Sequence, residues 1–235
     1  IAGAEAIGSP VILQTTSSTY RYVEMPYMIA LAKAAAEQAK IPVALHLDHG
    51  ESFQVVTECL RAGYTSVMID GSKLSLEDNI ALVRKVTDAA SPLGVPVEAE
   101  LGTIGSVEDD LVSMEDQALF TDPLMAERFI RETGIDSFAP AFGTAHGNYK
   151  KEPKLQFDLL GKIQAVSNLP LVMHGASGVP KDSVRKSLDY GVAKVNFSTE
   201  LKDLFAEKLR AYLIANPKES DPRKYFLPAR EALIE

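Results

Sequence analysis

The 235 residues, 46% hydrophobic and 24% charged, suffice to bury one substantial core and come close to the size of a single α/β barrel. A formal net charge of -8 argues against a broad nucleic-acid surface, because neutralising phosphates takes clustered Lys and Arg. Cys59 stands alone, so no disulfide forms within the chain; with no basic, apolar leader and no apolar run of the roughly 18 to 20 residues that span a bilayer, a cytoplasmic protein off the membrane is expected.

Residues 1–8, IAGAEAIG, read as the tail of a helix running into the β-rich run VILQTT at 11–16. A first strand is therefore expected before Ile1, leaving the eighth strand outside this sequence. Further short β-rich runs follow in order: VALHLD at 43–48, TSVMID at 65–70, VPVEAELG at 95–102, SFAPAFG at 137–143, LPLVMHG at 169–175 and AKVNFST at 193–199. Between them the spacing is helical, with Met28, Leu31, Ala32 and Ala35 predicted to share one face, and Ile80, Val83, Val86 and Thr87 another. Gly63, Gly134 and Gly191 read as glycines just past helix ends, and the Pro-rich stretch 216–228 as a surface crossing into a final helix. This alternation predicts repeated βα units in one domain over residues 1–235. Polar residues recur at the C-terminal ends of the strands, which favours a (β/α)8 TIM barrel over an open doubly wound sheet.

Three of the four histidines fall where strands end: His49 in HLDHG, His146 in FGTAHGNY and His174 in VMHGASG. In a barrel those ends converge on one mouth, where three imidazoles can bind Zn²⁺ and leave a position open to substrate. A single such histidine is an ordinary hydrogen-bonded polar residue; three on three strands point to a metal. His46 alternates with Asp48 and is read as supporting the site. Asp48 directly precedes His49, and strand neighbours face opposite sides, so both can serve the mouth only where the strand breaks, for which Gly50 is the candidate. Asp48 then acts as general acid and base on a hydroxyl, or as a hydrogen-bond partner to an imidazole. Asp70 and Glu100, with Glu98 sharing the parity of Glu100, make the mouth acidic; they suit a cation or a hydrogen-bonded scaffold. Gly175-Ala176-Ser177-Gly178 and Asn196-Phe197-Ser198-Thr199 offer backbone amides at the last two strand ends, fit for a phosphate, or for plain turn chemistry with Thr199 as N-cap.

HLDHG, SVMIDGS, VEAELGTIG, GTAHGNYK, LVMHGASG and KVNFSTE, in this order across nearly the whole chain, resemble the successive active-site segments of the class II fructose-bisphosphate and tagatose-bisphosphate aldolase family. That family usually begins with a helix and strand before the equivalent of Ile1. The resemblance implies a lyase with a catalytic zinc on His49, His146 and His174, Asp48 as the proton shuttle at the C4 hydroxyl, and Asp70 with Glu100 as an alternative or second divalent position. It further implies a mobile loop after Glu100, on which Glu108 exchanges a proton at the dihydroxyacetone phosphate carbon. Gly147, Gly175, Ser177, Asn196, Ser198 and Thr199 would hold the phosphorylated ketose, with backbone groups near Gly147 and Gly175 open to Na⁺ or K⁺. Asn196 would donate to the enediolate, a preorganised hydrogen bond of a kind worth about 3 kcal/mol. Family members are commonly homodimers or homotetramers.

Ser198 stands where some fructose enzymes carry an acid, which leaves the sugar's C4 configuration open. For the distal phosphate Arg223 and Arg230 are the candidates. An amidohydrolase-type zinc hydrolase would share His46-x-Asp48-His49 but would need an Asp after the last strand, where this chain has Asn196-Phe197-Ser198-Thr199. A non-catalytic sugar-phosphate binder on the same scaffold is the remaining alternative.

Overall fold

The computed structural model describes residues 1–102, 104, 120–147, 149 and 152–235. Among them helix α1 (Ala2–Ala6) leads into β1 (Val11–Thr15), followed by α2 (Ser17–Val23), α3 (Met25–Gln38) and β2 (Val43–Gly50). Then come α4 (Phe53–Ala62), β3 (Ser66–Ile69), α5 (Leu76–Ala90), β4 (Val97–Leu101), α6 (Pro123–Thr133) and β5 (Ser137–Pro140). The chain continues through α7 (Phe157–Ser167), β6 (Leu171–Met173), α8 (Lys181–Leu188), β7 (Val192–Val195), α9 (Thr199–Ala215), α10 (Pro222–Tyr225) and α11 (Leu227–Ile234). All seven predicted strands are present; most are trimmed by a few residues at their ends, while β2 runs on two residues to Gly50 and β7 begins one residue early at Val192, and the Pro-rich stretch carries α10 on its way to α11.

The strands form one parallel sheet in sequence order, β1 to β7. In a flat sheet, strand spacings of about 4.8 Å would put β2 and β6 roughly 19 Å apart. Yet His49, on β2, lies 3.1 Å from His174, next to β6. The sheet is therefore curled: seven parallel strands with their helices outside make a partial TIM barrel.

Alternation along the strands sorts the residues. Leu45, Leu47, Val67, Ile69, Val97, Ala99 and Phe138 face the helices and join the main hydrophobic cluster. Residues of the other parity, His46, Met68, Glu98, Val172 and Lys194, point into the curl, which is accordingly polar. Local chemistry fixes the helices. Ser52 accepts from the Val55 amide and Gly63 ends α4 in the left-handed region, while Asp122 accepts from the Leu124 and Met125 amides and Gly134 closes α6. In α5 the predicted face of Ile80, Val83, Val86 and Thr87 is buried. In α3 it is shifted: Ile29 and Ala32 are buried, and Leu31 is 65% exposed. Among the described residues no helix is long and apolar enough to cross a membrane.

Candidate active site and metal centre

The mouth of the curl begins with a defect in β2. Leu47 pairs with Val67 and Gly50 with Ile69, so β2 carries one residue more than β3 over this stretch. His49 absorbs it at φ 46, a left-handed bulge. The break that the sequence required is thus at His49 itself, and Gly50 serves by letting β2 press against the Met68 carbonyl, where a Cβ would collide. The bulge turns two neighbours to one side. Asp48 accepts from Gln14 Nε2 at 3.2 Å and from Asn196 Nδ2 at 3.5 Å, while His49 faces His174.

The three imidazoles converge. Their ring centroids are 5.0 Å (His49 to His146), 4.8 Å (His49 to His174) and 5.8 Å (His146 to His174) apart, all edge-on. His174 follows β6 directly; His146 lies further into the loop after β5 than a strand-end residue would. Carboxylates select which nitrogens face inward. His49 Nδ1 is 2.8 Å from Asp70 Oδ2 and His174 Nε2 is 2.8 Å from Glu98 Oε1, so each donates its proton outward and keeps its other nitrogen for the mouth. Those two, His49 Nε2 and His174 Nδ1, stand 3.1 Å apart, and His146 Nε2 is buried without a hydrogen-bond partner. Nitrogen ligands about 2.0–2.1 Å from a tetrahedral Zn²⁺ lie about 3.3 Å from one another. One ligand atom from each histidine lies within 4.8 Å of the other two, so the donor set and its spacing fit such an ion with modest closure.

His49, Asp70 and Glu100 form a second cluster of the same tightness. Ser72 donates to Asp70 through its amide (3.0 Å) and its hydroxyl (2.7 Å). Burial would raise the Asp70 pKa, but the hydrogen bonds from His49 and Ser72 hold it below the usual carboxylate range. Burial, then the Asp70 charge, push Glu100 up to about 8. His49 rises to about 9, since the Asp70 hydrogen bond and the Asp48 and Glu100 charges outweigh its burial. His146 falls to about 4 through burial and its neighbouring imidazoles. An acid-rich pocket that draws protons onto His49 and Glu100 is one that a cation can occupy in their place.

Beside the histidines run the glycine-rich loops. Gly147 and Gly175 take φ of 97 and 65, and the Ala176 amide donates to the Asn196 carbonyl at 3.2 Å, tying the loop after β6 to that after β7. The reading of Thr199 as N-cap is corrected. Thr199 is the first helical residue of α9, Ser198 holds the cap position without a side-chain bond, and Ser177 Oγ instead accepts from the Ser198 and Glu200 amides at 3.2 and 3.3 Å. Arg223 is spent on a fork with Asp221, and Arg230 is exposed on α11. Glu108 lies outside the described residues.

Four contributors were not singled out from the sequence. Gln14 steadies Asp48, Ser72 steadies Asp70, and Lys194 donates to Glu98 at 2.8 Å. Tyr149 accepts from the Ala145 amide and donates to the Gly175 carbonyl, at 2.7 and 2.8 Å, latching the loops after β5 and β6. Two of them carried a signal: Gln14 is the polar residue that directly follows the apolar Val11-Ile12-Leu13 run within β1, and Lys194 alternates with Asn196.

Fold and cluster together define a partial barrel with a metal-binding type of mouth, and comparison with known proteins gives its family. The family model described as fructose-bisphosphate aldolase class-II matches residues 1–235. Among solved structures the chain is similar to the YdjI aldolase from Escherichia coli K12, at 31% identity and a TM-score of 0.84, covering 99% of this chain and 80% of that one. It is also similar to fructose-bisphosphate aldolase from Campylobacter jejuni, at 25% identity and a TM-score of 0.78, covering 99% of this chain and 82% of that one. The chain belongs to the class II fructose-bisphosphate aldolase family, and the amidohydrolase alternative falls away.

Proposed function

We propose that this chain, as a single barrel domain over residues 1–235, reversibly cleaves a ketohexose 1,6-bisphosphate, fructose or tagatose 1,6-bisphosphate, to dihydroxyacetone phosphate and glyceraldehyde 3-phosphate. The observation that carries the reading is the meeting of three imidazole nitrogens, within 4.8 Å of one another, beside a carboxylate, Asp48, that the bulge at His49 turns to the same side. His49, His146 and His174 would hold Zn²⁺, which when bound supplies Lewis acidity at the ketose oxygens. Asp48, steadied by Gln14 and Asn196, takes the C4 hydroxyl proton as the C3–C4 bond breaks. The electron pair moves toward the C2 and C3 oxygens, where the Asn196 amide donates a hydrogen bond. Glu108 returns a proton to the carbon. Gly147, Gly175, Ser177, Ser198 and Thr199 bind the phosphate through loop and helix N-terminal amides, with Na⁺ or K⁺ near the two glycines. Asp70 and Glu100 offer a second divalent position with His49. The working form is a cytoplasmic homodimer or homotetramer.

One preparation, supplied with Zn²⁺ and assayed on fructose 1,6-bisphosphate, tagatose 1,6-bisphosphate and other phosphorylated ketoses, tests the substrate. Fastest turnover on one of the two ketohexose bisphosphates is expected. Preference for a different phosphorylated ketose would move the reading to another aldolase of the same family, and turnover of none would overturn it.

A further inference from the structure

Beneath the three histidines the curl holds a buried charge cluster of which the chemistry above uses only the bond from His174 to Glu98. Glu98 on β4 and Lys194 on β7 have side chains 1% and 12% exposed and meet at 2.8 Å. Flat, the intervening strands would hold them about 14 Å apart, so the pair spans the interior of the curl. The two oxygens of Glu98 are divided between two tasks. Oε1 accepts from His174 Nε2 at 2.8 Å, and Oε2 accepts from Lys194 Nζ at 2.8 Å. A third group stands close. His46 Nε2 lies 3.8 Å from Oε2, too far for a hydrogen bond, and is buried with no other partner, its Nδ1 being engaged with Ser66 Oγ at 2.8 Å.

We propose that Lys194 is a positioning residue for the metal centre: by holding Oε2 of Glu98 it keeps Oε1 on His174, and so keeps Nδ1 of His174 turned to the mouth. The inference rests on the reading of His49, His146 and His174 as ligands. Its physical basis is that a buried carboxylate needs a charged, hydrogen-bonded partner, and among the described residues Lys194 is the cation hydrogen-bonded to Glu98. Without Lys194, the carboxylate turns toward the unpartnered His46 Nε2 and leaves His174 free to rotate about its side-chain bonds. Asp70, which orients His49, differs in being 22% exposed and fastened by Ser72, so it needs no such cation.

The test is Co²⁺ binding to the chelator-stripped protein, followed by competition with a chromophoric chelator and by the visible absorption of the Co²⁺ site. Lys194→Met is expected to weaken Co²⁺ affinity about 10-fold or more and to alter the visible band, in line with the loss of a group that supports a ligand, while Lys194→Arg restores most of both. Glu98→Gln keeps an acceptor for His174 yet needs no ammonium, so in that background Lys194→Met should change affinity by less than about twofold. Where Lys194→Met does not fold, Lys194→Gln carries the same comparison. Parent-like affinity and absorption in Lys194→Met, or the same loss in both backgrounds, would overturn the role of Lys194. A parent chain that binds no Co²⁺ would overturn the metal centre itself, which separates the two failures.

Discussion

Gly175→Ala is a perturbation whose cost can be divided in advance. Gly175 and Gly94 share a φ of +65, so an alanine at either meets the same left-handed penalty. They differ in surroundings. A Cβ at Gly94 meets nothing within 4 Å, whereas at Gly175 it runs into the backbone carbonyl of Ala145, closer than real Cβ contacts come. The backbone penalty is about 1–2 kcal/mol at both sites. Overpacking against the carbonyl of Ala145, whose amide Tyr149 holds, adds about 1–3 kcal/mol at Gly175 alone. Urea unfolding followed by circular dichroism, with chelator present so that metal linkage does not mask the difference, should therefore show Gly175→Ala less stable than Gly94→Ala by that second amount. Relief by shifting the loop would also pull on His174, so Gly175→Ala, and not Gly94→Ala, should weaken Co²⁺ binding. Equal midpoints for the two variants would refute the claim that the loops after β5 and β6 are interlocked.

Asp48→Asn keeps the shape of the side chain but not its basicity; turnover should drop by about 10² to 10⁴, with Co²⁺ affinity close to that of the parent, and parent-like turnover would remove Asp48 from its assigned role. Burial raises Cys59 from 9.0 to about 12 and Tyr64 from 10.0 to about 12, the latter against a hydrogen bond with Thr15. Both are groups whose folded pKa is raised, so the stability linked to them is full below the unfolded values and is lost as pH climbs toward 12. Unfolding free energies measured from pH 8 upward should begin to fall near 9, by an amount on the order of 4 kcal/mol for Cys59 and about 3 kcal/mol for Tyr64 at the end, and a flat profile would contradict the burial of both. The Cys59 thiol should likewise react with a thiol reagent slower by about three orders of magnitude in the folded chain than in urea.

The βα alternation was legible because each strand run is short, β-rich and followed by a helical spacing closed by Gly63, Gly134 or a similar signal. The convergence of the three histidines was legible too, since each stands in a segment at or following a strand end, and the bulge at His49 was demanded by the adjacency of Asp48 and His49. Other features depend on packing across the curl, which no local pattern encodes. Lys194 looks like an ordinary strand lysine until β7 is brought within reach of β4. Ser177 caps α9 from a different loop, so proximity in sequence pointed to Thr199 instead. Leu31 fits the helical period of α3 but falls on the outer side, because the face that meets the strands is set by Ile29 and Ala32. Tyr149 acts through two hydrogen bonds, one to its own loop and one to the loop after β6, and residue type alone did not mark it.

The central claim is that a divalent ion on His49, His146 and His174 is required for carbon–carbon cleavage. Its most direct test is the rate of ketohexose 1,6-bisphosphate cleavage before and after exhaustive chelation, and again after adding Zn²⁺ or Co²⁺. Loss of cleavage on chelation and its return with either metal is the predicted result. Full cleavage by protein shown to be free of divalent metal would contradict it.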